Sequence, residues 1–264
     1  MTETIAVNGI DIAYRWDGPK GAPVLTLSNS LASSHAMWDM QVPALIPSWR
    51  VLRYDTRGHG ASGVSEGAYS MDMLARDVIG LWDALGVEKS AFCGLSLGGM
   101  TGQQLGIAHG ERLTALVLCD TIAKWPNGVT AIWNGRVRSA QQAGMGPLVE
   151  PTLERWFTKA YRERRPAALD AVAEMIANTP VTGYVGASIG IVKIDFLERL
   201  SSISVPTLVI VGADDPATTV EASEAIQSRI PGAELAVVGE AAHLANVEQP
   251  EAFNAALLEF LSRL

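Results

Sequence analysis

The spacing of hydrophobic and polar positions changes along the chain, and each change marks an element. Ile5 and Val7 alternate with polar neighbours, Asn8-Gly9 follows, and Ile10, Ile12 and Tyr14 resume the alternation. This pattern predicts an opening β-hairpin closed by a type I′ turn, because Asn-Gly tolerates the two positive φ angles such a turn needs. Beyond the hairpin, short apolar runs occur at 24–27, 51–54, 90–93, 115–119, 207–211 and 234–238. Between them lie stretches of helical period, such as Leu74, Val78, Leu81 and Leu85, or Phe253, Leu257, Leu258 and Leu261. Strands apolar on both faces need cover on both faces, and parallel strands need crossover connections. The expected fold class is therefore α/β, with a mostly parallel sheet sandwiched between helices.

The rhythm breaks from Ala123 to Phe196, where helix-like pieces are punctuated by Pro147, Pro151, Pro166 and Pro180 and no strand pattern appears. This predicts a core of residues 1–122 and 197–264 interrupted by a helical cap insertion over 123–196. The insertion holds nine basic and six acidic residues, against eleven and twenty-two in the remainder. A mildly positive cap over an acidic body favours an anionic ligand, although scattered solvated charges give the same count.

Composition narrows the function. The 264 residues are 48% hydrophobic and 18% charged, which is ordinary globular usage. A net charge of −8 argues against a nucleic-acid partner or an anionic membrane surface. No apolar run approaches the ~18 residues of a membrane span, and the first residues lack a basic stretch leading into an apolar one. Cys93 and Cys119 lie inside apolar runs and read as small buried hydrophobes, as expected in a reducing, cytoplasmic compartment.

The sharpest chemical signal is Gly94-Leu95-Ser96-Leu97-Gly98-Gly99, which follows an apolar run and opens a helix-compatible stretch. G-x-S-x-G in strand–turn–helix context raises a serine above a sheet on a tight turn, and the glycines give the turn room. A dinucleotide-binding loop does not fit, because Ser96 stands where that fingerprint requires glycine. A serine hydroxyl needs a base, and the base needs a carboxylate to fix its tautomer. Of the four histidines, His35 lies in an early loop, His59 in a Gly-rich turn and His109 beside a helix end. His243 follows the run at 234–238 and precedes a helix announced by Pro250, the loop position where α/β enzymes keep working side chains. The run at 207–211 ends in Gly212-Ala213-Asp214-Asp215, so one of these aspartates is the expected acid, in the chain order Ser, Asp, His. Asp120, after the run at 115–119, competes for that role but reads first as a helix cap.

These residues carry a family resemblance. The serine turn, Arg53-Tyr54-Asp55-Thr56-Arg57-Gly58-His59-Gly60-Ala61-Ser62, the loop Ser28-Asn29-Ser30-Leu31 with Trp38, and His243-Leu244-Ala245-Asn246-Val247-Glu248-Gln249-Pro250 together resemble the α/β-hydrolase superfamily. More narrowly, Phe92 to Met100 and Asp215-Pro216-Ala217-Thr218 resemble the 3-oxoadipate enol-lactonases, a likeness spanning nearly the whole chain. The resemblance implies an α/β-hydrolase fold and makes Ser96, Asp215 and His243 the triad, with Asp214 a flanking residue. It also implies an oxyanion hole from the backbone N–H groups of Leu31 and Leu97. Asn29-Ser30 stands where many relatives carry His-Gly, and Thr219 where many carry proline.

The implied activity is hydrolysis of a small anionic lactone, 3-oxoadipate enol-lactone to 3-oxoadipate in aromatic catabolism, with no metal or organic cofactor. A generic carboxylesterase or a cofactor-free perhydrolase is the alternative on the same scaffold. Such a substrate carries a carboxylate, so the pocket needs a cation. Trp133, Arg136, Val137 and Ala140 share one helical face, which nominates Arg136 as the clamp and Trp133 as a wall. Arg57 is expected to tie its own turn together. The sequence leaves the oligomeric state open.

Overall fold

The computed structural model describes residues 2–264. Eight strands form one sheet: β1 (Glu3–Val7), β2 (Ile10–Asp17), β3 (Val24–Ser28), β4 (Arg50–Tyr54), β5 (Ser90–Leu95), β6 (Leu113–Cys119), β7 (Thr207–Gly212) and β8 (Glu234–Val238). Their order is β1-β2-β4-β3-β5-β6-β7-β8. β1 and β2 pair antiparallel, as do β2 and β4, and every later pairing is parallel. The hairpin turns at Asn8 and Gly9, whose φ angles of 47° and 81° are those of the expected turn. The central strands β5, β6 and β7 are almost wholly buried, which is why their sequences are continuous apolar runs.

Among the described residues, eleven α-helices connect and cover the strands. In the body these are α1 (Val42–Leu45), α2 (Met71–Leu85), α3 (Leu97–Ala108), α9 (Val220–Arg229), α10 (Ala245–Glu248) and α11 (Pro250–Leu261). α2 packs on α3, and α9 joins them through the turn at Leu197–Ser202; α1 contacts α11 on the other side. α2 shows how sequence sets an element. Ser70 caps its first turn by accepting the Met73 N–H, Leu74, Val78 and Leu81 are buried, and Gly86 ends it in the left-handed region with φ 68°.

Between β6 and β7 the chain makes five helices: α4 (Val129–Ala143), α5 (Gly146–Trp156), α6 (Lys159–Arg164), α7 (Ala167–Asn178) and α8 (Val181–Ile191). The only β pairing there, among the described residues, is an isolated bridge between Lys124 and Asp195, where the excursion leaves and rejoins the body. These helices are fastened to the body at named points. A Cβ on Gly183 of α8 would stand 2.0 Å from the Gly58 carbonyl oxygen, so only glycine permits that approach. The Gly186 carbonyl accepts the Tyr69 N–H, while within the excursion the Trp125 indole donates to the Ile191 carbonyl. No described helix is long and apolar enough to cross a membrane.

Candidate active site

Ser96 sits between β5 and α3 with φ 56° and ψ −108°, a conformation costing a non-glycine residue on the order of 1–3 kcal/mol. Neighbours hold it there. The Ser96 N–H donates to the Cys119 carbonyl at 2.9 Å, and the Thr121 hydroxyl donates to the Ser96 carbonyl at 2.9 Å. The flanking glycines are required by contact: a Cβ on Gly94 would lie 2.1 Å from the Gly98 carbonyl oxygen, and one on Gly98 2.3 Å from that of Ser28. We expect Gly98→Ala to destabilise the protein by about 1–3 kcal/mol and to lower turnover, because the carbonyl it meets is backbone that cannot swing away. Gly135→Ala on α4, where a Cβ meets nothing within 4 Å, is the control and should stabilise by roughly 0.5–1 kcal/mol. Urea midpoints of the two variants check both signs.

The loop after β8 brings His243 to the same place. Its Nδ1 donates to Asp215 Oδ2 at 2.7 Å, and the ring stands 6.1 Å from that of Trp156. Asp215, on the loop after β7, is nearly fully buried and also accepts from the Ala217 N–H, the Thr218 N–H and the Thr218 hydroxyl, at 2.8, 3.0 and 2.5 Å. Burial alone would raise its carboxyl. The facing His243 charge and these hydrogen bonds outweigh burial and hold it at about 2, so the group is a carboxylate at neutral pH. The exposed Asp214 donates its N–H to the Ala241 carbonyl and does not contact the histidine.

Asp120 takes neither role considered for it. It caps no helix, because the next one starts only at Val129. With φ 42° its side chain turns into the protein, where Oδ1 accepts the Gly212 N–H at 2.8 Å and Oδ2 has no partner. Burial, reinforced by the Asp215 charge, pushes its carboxyl well above the usual range. His243 pairs with Asp215 and not with Asp120, so Asp120 serves as a buried acceptor that pins the end of β7.

Two backbone donors flank the serine. Among the described residues, neither the Leu31 N–H nor the Leu97 N–H has a protein acceptor. The loop carrying Leu31 is braced by Asn29, whose side chain donates to the Ser30 and Ser33 carbonyls and accepts the Thr56 N–H and hydroxyl. The next residue, Ala32, has φ 57°. The Ser96 hydroxyl has no hydrogen-bond partner among the described residues, leaving it free towards the cavity.

That cavity, of about 290 Å³, lies between body and helical excursion. Ser96, Leu31, Met100 and His243 line one wall; Trp125, Trp133, Arg136, Arg155, Trp156 and Tyr184 line the other. Arg136 and Trp133 are brought together as their helical spacing predicts, with the guanidinium 4.8 Å from the indole centre. Arg155, Trp156 and Tyr184 were not singled out by the sequence, since they lie on other helices. Glu248 was missed too. Nearly fully buried after the histidine loop, its carboxylate accepts from the Thr158 N–H, the Thr158 hydroxyl and the Ala242 N–H, tying the start of α6 to the loop that carries His243. The remaining candidates are structural. Arg57 forms a buried pair with Asp77 of α2, so it ties its turn to a helix as well as to itself. His59 is buried against the Arg57 carbonyl, and His35 pairs with Asp55.

Comparison with known proteins identifies the family of the fold. A family model described as alpha/beta hydrolase fold matches residues 23–250. The chain is 39% identical to 3-oxoadipate enol-lactonase 1 of Acinetobacter baylyi over 93% of its own length and 91% of that protein's. The crystal structure of the enol-lactonase from Burkholderia xenovorans LB400 superposes with a TM-score of 0.95 at 38% identity, covering 98% of this chain and 100% of that one. A hydrolase from Pseudomonas aeruginosa PA01 superposes equally well, at 40% identity and 98% coverage of both chains. The chain belongs to the alpha/beta hydrolase fold family.

Proposed function

We propose that this protein hydrolyses a small anionic enol-lactone, with 3-oxoadipate enol-lactone as the substrate. Ser96 is the nucleophile, His243 the base, Asp215 the acid that orients it, and residues 123–196 the cap. The observation that carries this reading is the cavity itself, with a raised serine and a carboxylate-oriented histidine on one wall and unpaired arginines on the other. Its volume lies at the low end of the ~300–1,000 Å³ usual for small-molecule sites, which suits a ring of a few atoms better than a long acyl chain. The two relatives named as enol-lactonases support the same substrate class.

The lactone binds with its ring carbonyl over Ser96 and its carboxylate towards Arg136, while Trp133 walls the pocket. His243 takes the hydroxyl proton as Oγ adds to the carbonyl carbon, and the Leu31 and Leu97 N–H groups receive the oxyanion. Each such donor contributes about 3 kcal/mol in the transition state. Collapse breaks the ring C–O bond and returns the proton to the departing enol oxygen, a better leaving group than an alkoxide because an enol is more acidic than an alcohol; tautomerisation of the freed enol to a ketone then pulls the reaction forward. Water, deprotonated by His243, then cleaves the acyl-enzyme to a carboxylate and regenerates Ser96. The two cysteines, with Sγ atoms 3.7 Å apart and both buried as thiols, suit the reducing cytoplasm, where we place the enzyme.

Ultraviolet loss of freshly generated 3-oxoadipate enol-lactone, beside a neutral p-nitrophenyl ester, tests the reading. We expect fast lactone loss and much slower ester cleavage, with Arg136→Gln raising KM for the lactone about 10–100-fold and leaving the ester nearly unchanged. Ester cleavage without lactone loss would leave a generic carboxylesterase and discard the named substrate.

A further inference from the structure

Where this fold buries an arginine for structural reasons it supplies a carboxylate: Arg53 pairs with Asp17 and Asp39, and Arg57 with Asp77. Arg136 and Arg155 break that rule. They come from the middle of α4 and the last turn of α5, both half-buried, and both line the cavity. Among the described residues, neither has a carboxylate within ion-pair distance. Arg136 rests on the Trp133 ring, and Arg155 donates to the Thr152 hydroxyl at 2.9 Å. Burial lowers both guanidiniums, and the charge of Arg136 lowers Arg155 further, to about 10. The exposed Glu154 opposes this only weakly, and the buried Tyr184, close enough to feel both, contributes a neutral hydroxyl. Two partly desolvated like charges without a counter-ion destabilise a fold, and a ligand anion placed between them removes that penalty.

We propose that Arg155 and Arg136 form a two-guanidinium seat for a ligand carboxylate, and that Arg155 is a specificity-determining residue which the ligand-free protein carries at the expense of stability. For the identity of the ligand the proposal rests on the lactonase reading. Hydrolysis of the lactone breaks the acyl C–O bond, adds water and leaves a second carboxylate at the Ser96 wall, so the product is a short dicarboxylate. One carboxylate faces the arginine pair, and the other faces the free N–H groups of Leu31 and Leu97. Inert dicarboxylates of similar length, such as adipate, should therefore bind and protect the protein.

Thermal melts of the wild type and Arg155→Met, with adipate or with sodium chloride and sodium sulfate at equal ionic strength, test the seat. Adipate at ten times its dissociation constant should raise the wild-type Tm by about 2–4 °C, beyond either inorganic salt. Without ligand Arg155→Met should melt at or above the wild type, and its response at the same adipate concentration should fall at least threefold. Its KM for the lactone should rise about 10–100-fold with a smaller change in kcat, and Arg155→Lys should recover part of the loss. A variant that melts well below the wild type, or keeps the wild-type response to adipate, overturns the proposal; so does sulfate protecting as well as adipate. Should the wild type leave the enol-lactone untouched while adipate protection still depends on Arg155, the seat stands and the named substrate falls.

Discussion

Ser96→Ala should abolish turnover of lactone and ester alike, with a loss on the order of 10⁶ in kcat, while the variant folds and melts like the wild type. The two halves of that expectation have separate causes. Activity falls because the other hydroxyl beside His243, that of Thr218, is 3.2 Å from Nδ1 on the Asp215 side of the ring and donates to that carboxylate, so it cannot replace Ser96; what remains is the residual rate due to binding and the backbone donors alone. Stability holds because the Ser96 hydroxyl accepts and donates no hydrogen bond in the free protein, so its removal leaves no buried group unpaired. The strained φ of 56° is imposed through the backbone by the Cys119 carbonyl, the Thr121 hydroxyl and the close approach of Gly94 to Gly98, and alanine inherits it. Turnover within tenfold of the wild type would remove Ser96 from the mechanism. A large drop in Tm would show that the hydroxyl holds the turn rather than the substrate.

The parts of this molecule that could be read from the chain are those fixed by local rules. Asn8-Gly9 closes its hairpin because its two residues alone accept the turn's dihedrals. The run at 234–238 becomes a strand with the predicted bounds, and the neighbouring runs extend by only a residue or two because backbone pairing outlasts side-chain hydrophobicity at strand ends. Ser96 and His243 are legible for a related reason: each stands in a loop just past a strand, and the parallel sheet gathers such loops at one edge. What stayed hidden depends on packing between elements. Arg155 gives no signal on α5, since its meaning comes from Arg136 on another helix across a shared cavity. Glu248 lies in a recognisable motif, yet its partner Thr158 is brought to it only when α6 docks on the body. Asp120 was misread because a carboxylate after a strand suggests a cap, whereas its positive φ turns the side chain inward to the Gly212 N–H.

The two neighbouring aspartates after β7 give the other large effect. Asp215→Asn should lower kcat about 10⁴-fold, whereas Asp214→Asn should change it less than threefold. Asparagine fits the space of Asp215 and can still accept from the Ala217 and Thr218 N–H groups, so the loop is preserved. With its one oxygen held by those N–H groups, its NH2 faces Nδ1 and donates to it, so the ring proton sits on Nε2, the atom that must take one from Ser96. The imidazolium formed during attack also loses its counter-charge. Stability carries an independent sign. Because Asp215 is held at about 2, below its ordinary value, its ionised form stabilises the native state above about pH 4, and that contribution fades as pH falls towards 2. It is worth on the order of 2 kcal/mol, so the wild type should exceed Asp215→Asn by about that much in urea at pH 7 and converge with it under acid conditions. Steady-state kinetics with paired denaturation at two pH values measures both effects. If Asp214→Asn proved the crippled variant, His243 would have to turn to the exposed carboxylate in the working enzyme, and the hydrogen bond of 2.7 Å to Asp215 would belong to a resting arrangement.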